Sequence, residues 1–281
     1  MSPRRKERNG VGVDSGPERA RTGRLRATER AFEYWMLAYR RTWRGTAVST
    51  FLMPVLFLAA LGLGLGSFVD TGPGRAALGG QTYLTFIAPG LLAATAMQTA
   101  ALESSYPVMG AWKWFKSYYA MLATPLRPVD VLVGHLLFVG FRVLTTCLVY
   151  LVVISAFGAV RSPWGVLTVV AGLLTGLAVA APTFALATIA DRDTVLSIYF
   201  RLAILPMFLF SGAFFPVEQL PALVRLVAYA TPLWHGVEMA RMFAYGIPEP
   251  GRIVLGVGYL CTWVGAGTWW AAHAFRRRLF V

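Results

Sequence analysis

The chain has 281 residues, 57% of them apolar and 14% charged, with a formal net charge of +13. Such a balance lies far from that of a soluble globular domain. Twelve of the 26 basic residues crowd into positions 1–45, a distribution that fits the positive-inside rule rather than a nucleic-acid surface. Strand alternation of the kind a transmembrane barrel requires is missing, so the expected class is an all-α membrane protein with six transmembrane helices.

Residues 1–27 are dominated by Gly, Pro, Ser and Arg and read as a disordered basic cytoplasmic tail. Residues 28–45 set Phe32, Trp35, Met36, Tyr39 and Trp43 on one helical face, with Glu29, Arg30, Glu33, Arg40 and Arg41 elsewhere. Aromatics opposite cations suit an N-terminal amphipathic helix lying in the membrane interface. The transmembrane domain follows at 46–275, with spans expected at about 46–66, 81–102, 131–157, 164–189, 195–215 and 253–272. Gly62 and Gly66 in the first span, and Gly172, Gly176 and Ala180 in the fourth, recur at four-residue intervals that allow close helix approach in lipid.

Between spans two and three, residues 104–130 form a polar, aromatic loop. Trp112, Phe115, Tyr119 and Leu122 fall near one helical face, Lys113 and Lys116 on another flank, and Pro125 and Pro128 halt the pattern. Between spans five and six, residues 217–245 read as two amphipathic pieces cut by Pro221 and Pro232. Each is too short to cross a bilayer, which suggests re-entrant helices dipping into one membrane surface. The basic run Arg276–Arg278 opens the short cytoplasmic end at 276–281.

Charge orients the spans. With six crossings both termini share a side, joined there by Lys113, Lys116, Arg127 and Arg192; Arg75, Arg161, Arg225, Arg241 and Arg252 fall opposite. The excess places both ends in the cytoplasm and the 217–245 segment on the outer face.

Few residues can carry chemistry. Arg142 lies about eleven residues into span three, where a charge costs roughly 2.5–3.5 kcal/mol on insertion scales. It either faces a polar pathway, with Glu103 as its carboxylate, or holds the bundle together. No carboxylate occupies the middle of any expected span, as a proton- or sodium-coupled carrier would want. His135, His235 and His273 are scattered, so no metal site is expected. Cys147 and Cys261 read as packing residues, and no lysine follows glycine, so no phosphate-cradling loop is present. ATP-driven transport would then need hydrolysis on a separate subunit, and the 104–130 loop is where that subunit would press. Glu238 and Arg241, one turn apart, read as a local ion pair.

Ile87-Ala-Pro-Gly-Leu-Leu-Ala93, Glu103, Ala123-Thr-Pro-Leu-Arg-Pro128 with Gly134, and Ser211-Gly-Ala-Phe-Phe-Pro216 with Leu220-Pro221 and Pro232-Leu233 together resemble the permease subunits of ABC-2 type exporters. The branch most similar is that of nodulation lipo-oligosaccharide and daunorubicin-type drug exporters. The resemblance implies a multi-pass subunit of the bacterial inner membrane, without its own ATPase site or bound cofactor. It would pair with a second permease copy, as a homodimer, and with two ABC ATPase subunits carrying ATP-Mg. Membrane lipid surrounds it and nucleic acid is not a partner. The ATPase contact the resemblance implies falls at Trp112, Phe115, Lys116 and Tyr119, while Glu103 and Arg142, read from position alone, are the pathway or bundle polar residues. The resemblance places an outer gate at Phe215, Pro216, Pro221, Pro232, Glu238 and Arg241. The implied cargo is hydrophobic or amphipathic, a drug or antibiotic first and a lipid-linked saccharide second. An ATP-independent secondary carrier of small amphipathic molecules is the alternative.

Overall fold

The computed structural model describes residues 17–71 and 74–279, with side chains from Arg26 onward except those of Ser49 and Ala77. Residues 1–16 of the expected tail and the final two residues of the basic end lie outside the described residues. Helix α1 spans Pro17–Phe57 without a break. It therefore takes in residues 17–27, expected to be disordered, and joins the expected interfacial helix to the first span. Gly45 is the sole interruption between the two segments, and one glycine costs a helix only about 1 kcal/mol.

Past α1 the chain widens into a π-helical stretch, Leu58–Leu65, where Gly62 lies against the Leu84 side chain. Two one-turn helices follow, α2 (Gly66–Val69) and α3 (Gly74–Ala77). The second span is α4 (Tyr83–Glu103), capped by the Thr82 hydroxyl, which accepts the Thr85 amide. It bends at Ser104 and Ser105 into α5 (Tyr106–Lys113), and α6 (Ser117–Leu122) completes the loop. The third span is α7 (Pro128–Ala156), started by Pro128 and by Asp130, whose carboxylate accepts the Arg127 amide at 3.1 Å. A 3₁₀ turn at Pro163–Leu167 leads into α8 (Thr168–Ile189).

Helix α9 (Asp193–Tyr199), a π-helical turn at Phe200–Ile204 and α10 (Leu205–Phe210) make the fifth span. It stops at Phe210, short of the expected residue 215, because the chain bends through Gly212 at φ +82°, where a side chain is strained. Helices α11 (Ala222–Tyr229) and α12 (Pro232–Tyr245) follow, then α13 (Pro250–Leu279), longer at both ends than expected. Six stretches are long and apolar enough to cross a membrane: Arg26–Val69, Tyr83–Lys113, Pro128–Ala156, Pro163–Ile189, Asp193–Phe210 and Pro250–Leu279.

Helix α8 is the centre of the bundle, packed on α4, α7, α12 and α13. Its small residues make that possible: a Cβ at Gly172 would stand 2.7 Å from Cys147 Sγ, and one at Gly176 would stand 2.7 Å from Val143. Helix α1 lies along α7 through Gly134, where a Cβ would stand 2.6 Å from that of Ala31. Trp35, Trp112, Tyr118 and Phe275 gather at one end of the bundle. The 211–249 segment closes the other end, with α12 seated on α4 and α8.

Candidate functional site

Between α1, α4 and α7 a cleft of about 330 Å³ runs beside the first span. Thr46, Thr50, Met53, Pro54 and Phe57 line it from α1 and Thr95, Gln98, Thr99, Leu102 and Glu103 from α4, while α7 adds Arg142 and Thr146. The helical spacing of each set puts its hydroxyls and amide on one face. Pro54 adds to the polarity, since it has no N–H to offer the Thr50 carbonyl one turn back. A carbonyl freed in this way needs a neighbouring helix, a hydroxyl or water as its partner.

At the end of the cleft, Arg142 Nε donates to Glu103 Oε1 at 2.8 Å. Its Nη1 donates to the Tyr39 hydroxyl at 3.0 Å, with the guanidinium carbon 4.6 Å from the Tyr39 ring centre. The Arg142 side chain is 8% exposed and that of Glu103 is 23%. The aromatic face of α1 is what reaches this site: Tyr39 and Phe32 meet Phe141, and Trp35 stacks on His135 at 3.9 Å. That face was expected to lie in the membrane interface, and Phe32, Trp35 and Tyr39 instead pack on α7. Its value as an arginine partner has no signal in the spacing alone.

The expected ATPase contact splits in two. Trp112 is 2% exposed and sits among Tyr118, Tyr119 and Phe275, with Arg278 over its ring at 5.6 Å. It anchors the loop to α13 and is not a surface residue, which corrects the sequence reading. Phe115, Lys116 and Tyr119 are exposed, with Trp114 beside them, and Phe115 reaches 78%. Lys116 holds φ at +52° to turn α5 into α6. Tyr118 is buried and hydrogen-bonded to His135 Nδ1; burial pushes its hydroxyl well above the ordinary range.

At the opposite end, Pro221 directly precedes α11 and Pro232 opens α12, where Thr231 caps the Trp234 amide at 3.4 Å. Phe215 and Pro216 finish the bend after the fifth span. Arg241 does far more than pair with Glu238, which lies 3.5 Å away. It is buried, donates from Nε to the Phe86 carbonyl at 3.3 Å and from Nη2 to the Gly212 and Ala213 carbonyls, and lies 3.7 Å over the Phe86 ring. Glu238 in turn accepts from Arg252 at 2.8 Å. The Tyr245 hydroxyl donates to the Thr85 carbonyl at 3.4 Å, which Pro89 cannot serve. Among the described residues no three His, Cys, Asp or Glu side chains converge on a metal position.

The cleft thus sets hydroxyl, amide and charged groups side by side along the first span. The family model for the ABC-2 type transporter matches residues 31–245. The chain is similar to Nodulation protein J of Rhizobium leguminosarum bv. trifolii, 32% identical over 87% of this chain and 94% of the relative. The corresponding figures are 30%, 87% and 95% for Nodulation protein J of Rhizobium leguminosarum bv. viciae. For that of Rhizobium meliloti (strain 1021) they are 29%, 87% and 94%. The chain belongs to the ABC-2 type transporter family, as the multi-pass membrane component of an ABC exporter that works with an ABC ATPase subunit.

Proposed function

We propose that this chain forms the membrane pathway for outward movement of a hydrophobic or amphipathic cargo, with ATP hydrolysed on the partner subunit. The observation that carries this is the polar cleft at Thr50, Thr95, Gln98, Thr99, Glu103 and Arg142: polar groups facing an apolar membrane are costly unless something polar passes or rests there. A drug or antibiotic is the first cargo class, and a lipid-linked saccharide the second, favoured by relatives that are nodulation proteins. Spans one, five and six leave most of their surface outward, which suits lipid on one side and a second copy of the chain on the other.

The test is co-reconstitution with the ATPase subunit in vesicles. Uptake of daunorubicin, or of a fluorescent lipid-linked oligosaccharide, should require ATP and fall several-fold when Gln98 is replaced by Leu. Transport that proceeds equally without ATP would establish the secondary-carrier alternative.

Two local outcomes belong to the same reading. Phe115→Ala should weaken capture of the ATPase subunit by about tenfold, an effect of the size expected for one exposed aromatic anchor, while membrane insertion is unchanged. Unaltered capture would move the contact elsewhere. A cysteine at exposed Gln219, in a Cys261→Ser background, should react with an impermeant maleimide added to intact cells. Reaction only after lysis would place both termini outside.

A further inference from the structure

Two adjoining chambers lie at the α12 end, remote from the polar cleft. The larger, of about 300 Å³, has Glu218, Glu249 and Tyr245 on its walls, and the smaller, of about 110 Å³, has Met239, Leu255 and Gly256. They share Trp234, Glu238, Met242 and Arg252, so these four residues form the wall and passage between them. The two chambers differ in what each adds to that shared wall: the larger adds Glu218, Glu249 and Arg241, the smaller His235, Met239 and Leu255.

The charges of the larger chamber are already partly spent. Arg241 gives its donors to three backbone carbonyls, and Arg252 binds Glu238 at 2.8 Å and Glu249 at 3.8 Å. Glu218 is exposed and enters none of the ion pairs among the described residues. Three carboxylates thus face two arginines, of which Arg241 is buried and tied to carbonyls while Arg252 is half exposed, so the lining carries one more acid than base. An anion arriving there would meet an excess of carboxylates, with the buried Arg241 turned to its carbonyls. A hydroxyl or ammonium group would find open acceptors, and Trp234 offers a ring face beside them.

We propose that the two chambers form one exit subsite for an amphipathic ligand. Its hydrogen-bond-donating polar group, neutral or cationic, sits by Glu218 and Glu238, and its aliphatic arm lies against Met239, Met242 and Leu255. The proposal rests on the exporter reading above and adds to it a selection against anionic cargo.

The test uses the full chain in nanodiscs of zwitterionic lipid and three probes that share an eight-carbon tail: octyl glucoside, octylammonium and octyl sulfate, each below its micelle concentration. The readout is the saturable change in tryptophan fluorescence that disappears in Trp234→Phe. The glucoside and the ammonium should bind at least about tenfold more tightly than the sulfate, the ratio expected when one unfavourable charge contact separates two ligands. Glu218→Gln, at an exposed position, should weaken the ammonium about tenfold and leave the glucoside nearly unchanged. Gly256→Val, which fills the small chamber against Met239, should weaken all three probes. Equal or tighter sulfate binding, a signal that survives in Trp234→Phe, or a Glu218→Gln variant with unchanged ammonium affinity would overturn the subsite. If any of these accompanies intact ATP-driven transport in vesicles, the subsite is excluded and the exporter reading stands.

Discussion

Arg142→Ala should destabilise the protein by about 3–5 kcal/mol, the usual cost of leaving one member of a buried ion pair alone. Thermal unfolding in detergent would show it as a large fall in midpoint and a loss of monodisperse material. Glu103 accepts from Arg142 at 2.8 Å, and among the described residues no other charged partner is paired with it, so Glu103→Ala should be comparably harmful. Replacing both with leucine removes both buried charges and should recover most of the stability lost in either single variant. Tyr39→Phe deletes one hydrogen bond and should cost only about 0.5–1.5 kcal/mol. The double-leucine variant separates pathway from scaffold. If it folds but no longer transports, the pair serves the cleft; if it folds and transports normally, the pair holds the bundle together and nothing more.

This pair shows what the sequence makes legible. A buried arginine within an apolar run needs a carboxylate, and Glu103 is the nearest candidate in the sequence, so the position of Arg142 points to its own contact. The six spans are legible for a related reason, since about 20 apolar residues between polar breaks have few other uses. Tyr39 is different. Helical spacing groups it with Phe32 and Trp35, but the same face suits lipid headgroups or a neighbouring helix, and only packing on α7 decides between them. Trp112 misleads for a related reason: its spacing with Phe115 and Tyr119 assumes one helix, yet α5 ends at Lys113, leaving Trp112 packed inward and Phe115 exposed past the helix end. The junction at Gly45 has no legible stop signal, so an interfacial helix and a span become one.

Arg241→Ala should be the second severe substitution, and its partners could not be read from spacing. Glu238, three residues away, is the evident candidate, but it has Arg252 at 2.8 Å, closer than Arg241 at 3.5 Å. The larger work of Arg241 is to satisfy carbonyls that regular structure leaves open. The fifth span ends in a bend at Gly212, so the Gly212 and Ala213 carbonyls have no helical amide to accept, and both receive Arg241 Nη2. Nε then ties the same guanidinium to Phe86 in α4, so one side chain clamps the second span, the end of the fifth and α12. Losing it leaves several buried acceptors unserved at about 1–3 kcal/mol each, which adds up to local opening even where the bundle survives. A cysteine at Ala213, which is fully buried, should stay unreactive to maleimide in the parent and become labelled when Arg241 is alanine. Arg241→Lys keeps the charge but loses the planar fork that serves acceptors on two elements at once. It should therefore label nearly as fast as the alanine variant. A lysine variant protected like the parent would show that Arg241 acts through charge, by its attraction to Glu238, and that the carbonyl clamp contributes little.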